Sequence, residues 1–336
     1  MKIQNFDTSE KVLIIAEIGN NHEGSIEVAK QMVRAVAKCG ADAVKFQTFK
    51  TEHYVSRRDA ARFGRMKSFE LTYEQFEELS HLAHECGLFF ISTPFDLESA
   101  RFLASIVDSY KIASGDNNFI PLIQCVLDTN KPLMVSTGIS DSTSVDALMH
   151  CIKHRVSEKE ISDSISLLHC VSSYPTPPEC ASLSSITYLS DKYECTVGYS
   201  DHTLGIDAAV AAAVLGARII EKHFTLDKNY SDFRDHKMSA DSEELRELVQ
   251  GVRKVSLMLG ANEKKRESCE EDLVLAIRRS IVASRNASQG HVIQEEDLTW
   301  VRPGGGLPPG NEHVLIGKRL NKDVCIGDLL LASDVE

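Results

Sequence analysis

The sequence predicts a (β/α)8 barrel followed by a small C-terminal domain, and three observations carry that expectation. Eight short apolar, β-branched runs alternate with helical patterns along the first two-thirds of the chain. Each run starts apolar and finishes on groups that a buried strand would not tolerate. From Arg279 onward the character changes to short strands and turns, with Pro303, Pro308, Pro309 and a run of glycines. Strand and helix repeated eight times is the pattern of a closed parallel barrel. An open doubly wound sheet is the competing arrangement, but no GxGxxG follows the first run.

The runs are VLIIAEIG from Val12, AVKFQTF from Ala43, LFFISTPF from Leu88 and YKIAS from Tyr110. PLMVSTG from Pro132, ISLLHCVSSY from Ile165, CTVGYSDH from Cys195 and ARIIEKHFTL from Ala217 complete the set. Between the first two, Val28, Met32, Val33, Val36 and Ala37 share one helical face that stops at Gly40. Phe76, Leu79, Leu82 and Ala83 do the same before Gly87. The barrel is expected over residues 1–262, a charged linker over 263–278 and the small domain over 279–336. A tail of that size buries little core cheaply, so it is expected to pack against another surface.

A formal charge of -12 excludes general nucleic-acid or anionic-membrane binding as the default, though local cations can still hold an anionic small molecule. The N-terminal MKIQNFDTSEK has no apolar h-region. The most apolar stretch, Ala208 to Ile220, is broken by Gly216 and Arg218, and it falls short of the ~20 residues of a membrane span. Nine cysteines, none in a CxxC pair, read as reduced and structural, which points to the cytoplasm.

In a barrel of this kind all eight strand C-termini converge on one face, where chemistry is done. The polar residues finishing the runs therefore form one candidate site. Lys45 and Lys111 come from different strands, among the hydroxyls of Thr93, Ser114, Ser136, Thr137 and Ser200. Two ammonium groups with several hydroxyl donors suit a phosphate and a carboxylate. The plainer alternative pairs each lysine with a carboxylate at the strand end.

His202 and His223 end the seventh and eighth runs, so their rings reach a common point. Two imidazoles suit a catalytic ion whose other positions belong to water and substrate. Glu17 and Glu221 are available as a further ligand, an orienting partner or a proton-transfer group. The pairs His81/His84 and His150/His154 have helical spacing but lie opposite the apolar stripes, with no third ligand. Asp235, in a polar loop after the eighth run, is either a substrate contact or a cap. Arg57, Arg58, Arg62, Arg65 and Lys67 make the loop after the second run a basic lid or a solvated charged segment.

IAEIGNNHEGS, KFQTF, STPF, KIASGD, STG, YPTP, GYSDHT and EKHFT stand in that order along the chain. Together they resemble the sialic acid synthase family from about Val12 to Val335. SIVASRNASQGHVIQEEDLTWVRPGGGLPP resembles the antifreeze-like (SAF) β-clip domain that follows the barrel in that family. The resemblance implies that Lys45, Thr93, Lys111, Ser114, Ser136, Ser172 and Ser200 bind phosphoenolpyruvate. It makes His202 and His223 the ligands of a divalent metal, manganese, with magnesium or cobalt as substitutes. Glu17, Gln47, Asp116, Tyr174 and Asp235 would face the sugar, and Glu221 would stand beside the metal. Arg302 would enter the barrel of the partner in a domain-swapped homodimer.

Asp116 and Ser172 depart from the family pattern, as does the DFRDHKMS loop. Asp116 and the loop sit on the sugar side, and apart from Ser172 the phosphoenolpyruvate set follows the family pattern. The expected reaction is condensation of phosphoenolpyruvate with an N-acetylmannosamine-type acylamino sugar, with Glu17 and Glu221 as the catalytic carboxylates. A 2,4-diacetamido hexose, giving N,N'-diacetyllegionaminate, is the alternative acceptor. Outside the family, a pyruvate aldolase forming a Schiff base on Lys111 is the competing chemistry. A non-catalytic carbohydrate or ice binder would need exposed, regularly spaced threonines after Ser280, and none are present.

Overall fold

The computed structural model describes all 336 residues, which form two compact units, Met1–Gly260 and Ala261–Glu336. The first is a closed barrel of eight parallel strands. In chain order they are β1 (Leu13–Gly19), β2 (Ala43–Thr48), β3 (Phe89–Pro94) and β4 (Ser109–Ile112). Then come β5 (Leu133–Ser136), β6 (Ile165–Cys170), β7 (Thr196–Asp201) and β8 (Ile219–His223). Strand β8 pairs back onto β1, placing Glu17 opposite His223, while on its other edge Glu17 pairs in register with Lys45.

Alternation along the strands separates two apolar layers. Outward residues such as Ile14, Ala16, Val44, Phe46, Phe90, Val135 and Ile220 pack against the helices. Burying side chains of this size contributes roughly 1.5–3 kcal/mol each. Inward residues at the N-terminal end, Leu13, Ile15, Ala43, Ile91, Met134, Leu168 and Ile219, fill the interior. Met1 and Ile3, from a short hairpin, join that cluster and close the barrel's lower end. Gly198 is needed in this layer, since a Cβ there would stand 2.5 Å from Leu168 Cδ2. Two residues further along each strand the inward positions become Glu17, Lys45, Thr93, Lys111, Ser136 and Glu221. The apolar plug is therefore the floor on which the polar layer rests.

The first helix, Ile26–Cys39, is capped by the Ser25 side chain and ends on Gly40 at φ 83°. It buries Met32, Val33 and Val36 as expected, with Ala29 and Cys39 beside them, while Val28 and Ala37 flank the contact half-buried. The basic stretch after β2 is not an open loop. Asp59 caps a helix at Ala60–Phe69, whose Met66 and Phe69 are buried. His84 meets Asp108 at 2.8 Å, and His150 and His154 contact each other on an exposed helix face. All nine cysteines are free, and no helix is long and apolar enough to cross a membrane.

The second unit contains the antiparallel strands β9 (Ser280–Ala283) and β10 (Leu298–Val301). It builds a core of its own from Ile281, Ile293, Leu298, Leu315, Leu320, Val324 and Leu330. The core is small, as expected for so short a tail, and close-spaced turns let residues from many short segments converge on it. Arg302 follows β10 and is exposed.

Candidate active site

Register and alternation bring the inward strand ends to one level, and there they make a buried ion lattice. Lys45 Nζ lies 2.6 Å from Glu17 Oε2 and 3.7 Å from Glu221 Oε2. Lys111 Nζ lies 3.5 Å from Glu221 Oε1. Lys45 donates to Thr93 Oγ1 at 3.2 Å, and Ser200 donates to Glu221 Oε1 at 2.9 Å. All six side chains are almost fully buried. Each lysine thus does pair with a strand-end carboxylate, at the centre of the barrel.

Two lysines and two glutamates balance, which makes burial tolerable. Glu17 and Glu221 nonetheless differ. Burial pushes Glu17 above the ordinary carboxylate range. Burial pushes Glu221 the same way, but Lys111 and Lys45 outweigh it and hold its carboxyl low. Lys111 is pulled down by burial, whereas for Lys45 the two glutamates overcome burial and raise it. Glu17 Oε2 and Glu221 Oε2 are held by their ion pairs with Lys45 and meet no further donor.

Gly138, after β5, brings three further groups together. It donates its N–H to Ser114 Oγ at 3.1 Å. A Cβ there would meet Ser172 Oγ at 2.5 Å, Ser114 Oγ at 2.6 Å and Cys170 Sγ at 3.0 Å. The hydroxyls of Ser136 and Ser172 are buried and unpartnered, as anion donors would be. Thr137, by contrast, donates its hydroxyl to the Leu168 carbonyl, and His169 spends its Nε2 on the Ala181 carbonyl. Both are structural.

The rings of His202 and His223 lie 5.6 Å apart. His202 Nδ1–H donates to the Val171 carbonyl at 2.8 Å, which orients the ring. His223 Nδ1 is buried without a partner, and burial followed by the neighbouring His202 keeps this imidazole far below its ordinary pKa. Burial disfavours charge on His202 and on Cys170, yet their hydrogen bond prevails, raising the imidazole and lowering the thiol. Behind both rings, outward-facing Lys222 and Asp201 pair at 2.8 Å and tie β7 to β8. No three His, Cys, Asp or Glu side chains converge as a closed metal cage. An orphaned imidazole nitrogen beside an oriented imidazole fits an open catalytic ion, with positions left for water and substrate.

Above this floor lies a cavity of about 650 Å³. It is lined by the expected Gln47, Ser114, Asp116, Ser172, Tyr174, His223 and Asp235. Gln47 accepts from Asn20 at 2.7 Å and donates to Glu17 at 3.2 Å. Asp116, on the turn after β4, has no partner, and burial lifts its carboxyl to about 6. Asp235 sits inside the short helix Arg234–Met238, so it is not the cap; its Oδ1 is buried and unpartnered, with Arg234 Nε 3.3 Å away. Arg234 also lies over the Tyr174 ring at 4.8 Å.

Sequence reasoning did not single out Asn20, Tyr54, Met66, Phe95, Ile139, Phe233 and Arg234, all of which line this cavity. Arg62 and Arg65, expected only as parts of a basic segment, line it too. Tyr54 and Phe95 stack at 4.4 Å. Asn20 and Phe95 directly follow strand ends and were legible by that rule, whereas the others lie on loops and helices.

Comparison with known proteins gives a consistent picture. The NeuB family model matches residues 32–264, and the SAF domain model matches residues 278–336. An uncharacterized protein of Methanocaldococcus jannaschii is 42% identical, over 97% of this chain and 95% of its own. An N,N'-diacetyllegionaminic acid synthase of Legionella pneumophila is 38% identical, over 98% of this chain and 96% of its own. Among solved structures, the sialic acid synthetase of Leptospira borgpetersenii in complex with citrate superposes with a TM-score of 0.75 at 31% identity. That match covers 82% of this chain and 94% of the other.

Proposed function

The chain belongs to the NeuB family of nonulosonic acid synthases, and from that premise we propose that it condenses phosphoenolpyruvate with the open-chain form of an N-acetylmannosamine-type acylamino sugar. The observation that supports this reading is the buried lattice of Glu17, Lys45, Lys111 and Glu221 beside two imidazoles, beneath a cavity lined by Asp116 and Asp235. Lys45 and Lys111, with the hydroxyls of Thr93, Ser114, Ser136, Ser172 and Ser200, hold the phosphate and carboxylate of phosphoenolpyruvate. Its C3 attacks the sugar aldehyde, forming the C–C bond as the carbonyl π bond breaks. The aldehyde oxygen takes up a proton to become a hydroxyl, and positive character is left at C2. Water adds at C2, its proton passing to Glu17 or Glu221. The hemiketal phosphate collapses with C–O cleavage, releasing phosphate and leaving a 2-keto acid. A divalent ion held by His202 and His223, manganese with magnesium or cobalt as substitutes, supplies polarisation of the aldehyde oxygen when bound.

A 2,4-diacetamido hexose is the second acceptor reading. The aromatic wall of Tyr54, Phe95 and Phe233 supports it, because an added acetyl methyl finds apolar cover there, and so does the similarity to the Legionella legionaminic acid synthase. Mass spectrometry of the products from phosphoenolpyruvate and a panel of acylamino hexoses decides between them. Bridging-oxygen label in phosphoenolpyruvate leaves with phosphate, and borohydride traps no adduct on Lys111; a trapped pyruvyl adduct favours the aldolase. The domain-swapped homodimer, with Arg302 of one copy completing the barrel of the other, is likewise a proposal. Arg302→Ala and Glu221→Ala chains, inactive alone, regain part of the activity when co-refolded if it holds.

A further inference from the structure

The cavity wall contributed by the segment after β8 is held from the opposite side of the chain's length. Phe233, Arg234 and Asp235 face the cavity, but residues just beyond β1 fix where they stand. Asn21 Nδ2 donates to the Phe224 carbonyl at 2.8 Å and to Ser239 Oγ at 2.9 Å. Ser239 Oγ in turn donates to the Asp235 carbonyl at 2.6 Å. Next to Asn21's neighbour, Glu23 Oε1 accepts from Ser231 Oγ and from His236 Nε2, the latter at 3.2 Å. His236 is fully buried, and its Nδ1 pairs with Thr225 Oγ1 at 2.7 Å. Ser231 also accepts the Phe233 N–H at 3.0 Å.

One carboxylate oxygen of Glu23 thus pins the segment on both sides of Phe233. Glu23 itself stands at φ 47°, a left-handed conformation that a glutamate adopts only at some cost. Gly24, at φ 81°, follows it because a Cβ there would come within 2.1 Å of the Ser68 carbonyl. The turn is therefore wedged between the helix that presents Arg62, Arg65 and Met66 and the segment that presents Phe233 to Asp235. Neither Glu23 nor His236 lines the cavity.

We propose that Glu23 and His236 are positioning residues for the acceptor sugar: they lock the wall formed by Phe233, Arg234 and Asp235 without touching either substrate. This rests on the condensation proposed above. The floor that takes phosphoenolpyruvate is built on strand ends and does not depend on the lock.

The test uses the full chain with Glu23→Ala, Glu23→Gln, His236→Ala and, as a milder variant at a half-buried position, Ser231→Ala. KM for N-acetylmannosamine or a 2,4-diacetamido hexose, whichever the parent turns over, should rise about tenfold in Glu23→Ala and His236→Ala, with KM for phosphoenolpyruvate within about twofold. Glu23→Gln keeps an accepting oxygen and should recover most of the sugar KM. Amide hydrogen exchange over residues 225–239 should quicken in the Ala variants while the barrel strands stay protected. Unchanged exchange there overturns the lock, whatever the sugar. Quickened exchange with an unmoved sugar KM, or equal rises in both KM values, overturns its role toward the acceptor. A parent enzyme that turns over neither sugar overturns the condensation reading and the acceptor role with it, while the exchange measurement still reports on the lock.

Discussion

The floor of the cavity and its wall are built from different materials. The floor consists of strand residues, Glu17, Lys45, Thr93, Lys111, Ser200 and Glu221, each nearly water-free and bonded to another member of the set. The wall consists of loop and short-helix residues, and of its two carboxylates Asp116 has no partner while Asp235 has only its chain neighbour Arg234, at 3.3 Å. A group that is satisfied within the protein holds its place whether or not a ligand is present. A buried group left unsatisfied awaits one. On the proposed reading the floor would fix the reaction and the wall would select the acceptor, so substitutions in the two regions should have separable signatures.

The largest effect is expected at the floor. Lys45→Met leaves Glu17 buried without its 2.6 Å partner and should cost about 3–5 kcal/mol of stability together with turnover. Lys45→Met combined with Glu17→Gln should recover most of the stability, read by denaturant unfolding, but none of the activity. A double variant that regains activity would show that the lattice serves only folding.

Metal removal comes next. Chelation should abolish turnover, and His223→Ala should do so without unfolding the barrel, because the ring's Nδ1 bonds nothing in the chain. Binding of manganese, followed by its electron spin resonance signal, should weaken in that variant. Full activity of a chelated sample would remove the ion from the scheme.

A smaller and more selective change is Gly138→Ala. The added carbon displaces the hydroxyls of Ser172 and Ser114, which it would approach to 2.5 and 2.6 Å. KM for phosphoenolpyruvate should rise by about tenfold or more with the sugar KM little changed. The reverse pattern would break the division between floor and wall.

How much of this was legible in the sequence follows the same division. An apolar run that suddenly finishes on charged, imidazole or hydroxyl side chains is anomalous for a buried strand, and eight such runs in phase identify the floor. Gly40 and Gly87 stopped helices where expected, because a left-handed residue is a local requirement. The aromatic wall carries no such mark. Tyr54, Phe95 and Phe233 are apolar residues of the kind that fill cores, and only the tertiary fold turns them toward the cavity. The helix Ala60–Phe69 was masked because it buries little beyond Met66 and Phe69, so its apolar period is weak, although Asp59 stands at its cap. The contact of Glu23 with His236 spans 213 positions, a pairing that no local pattern encodes.

The finest test of the contrast is a single proton on the wall. Burial alone raises the Asp116 carboxyl to about 6, with no cation or hydrogen bond to hold it ionised. In the free enzyme it is therefore protonated below that pH and charged above it. If the charged form accepts hydrogen bonds from the sugar's hydroxyl or amide groups, kcat/KM for the sugar should rise through about pH 6, since that parameter reports the free enzyme. Once the sugar donates to it, the charged form is favoured, so the inflection in kcat should move to lower pH. The KM for phosphoenolpyruvate, set by the floor, should not follow this profile. Asp116→Asn should flatten the inflection and lower kcat/KM at neutral pH by about tenfold. An inflection that survives the substitution belongs to another group, and Asp116 is then not in contact with the acceptor.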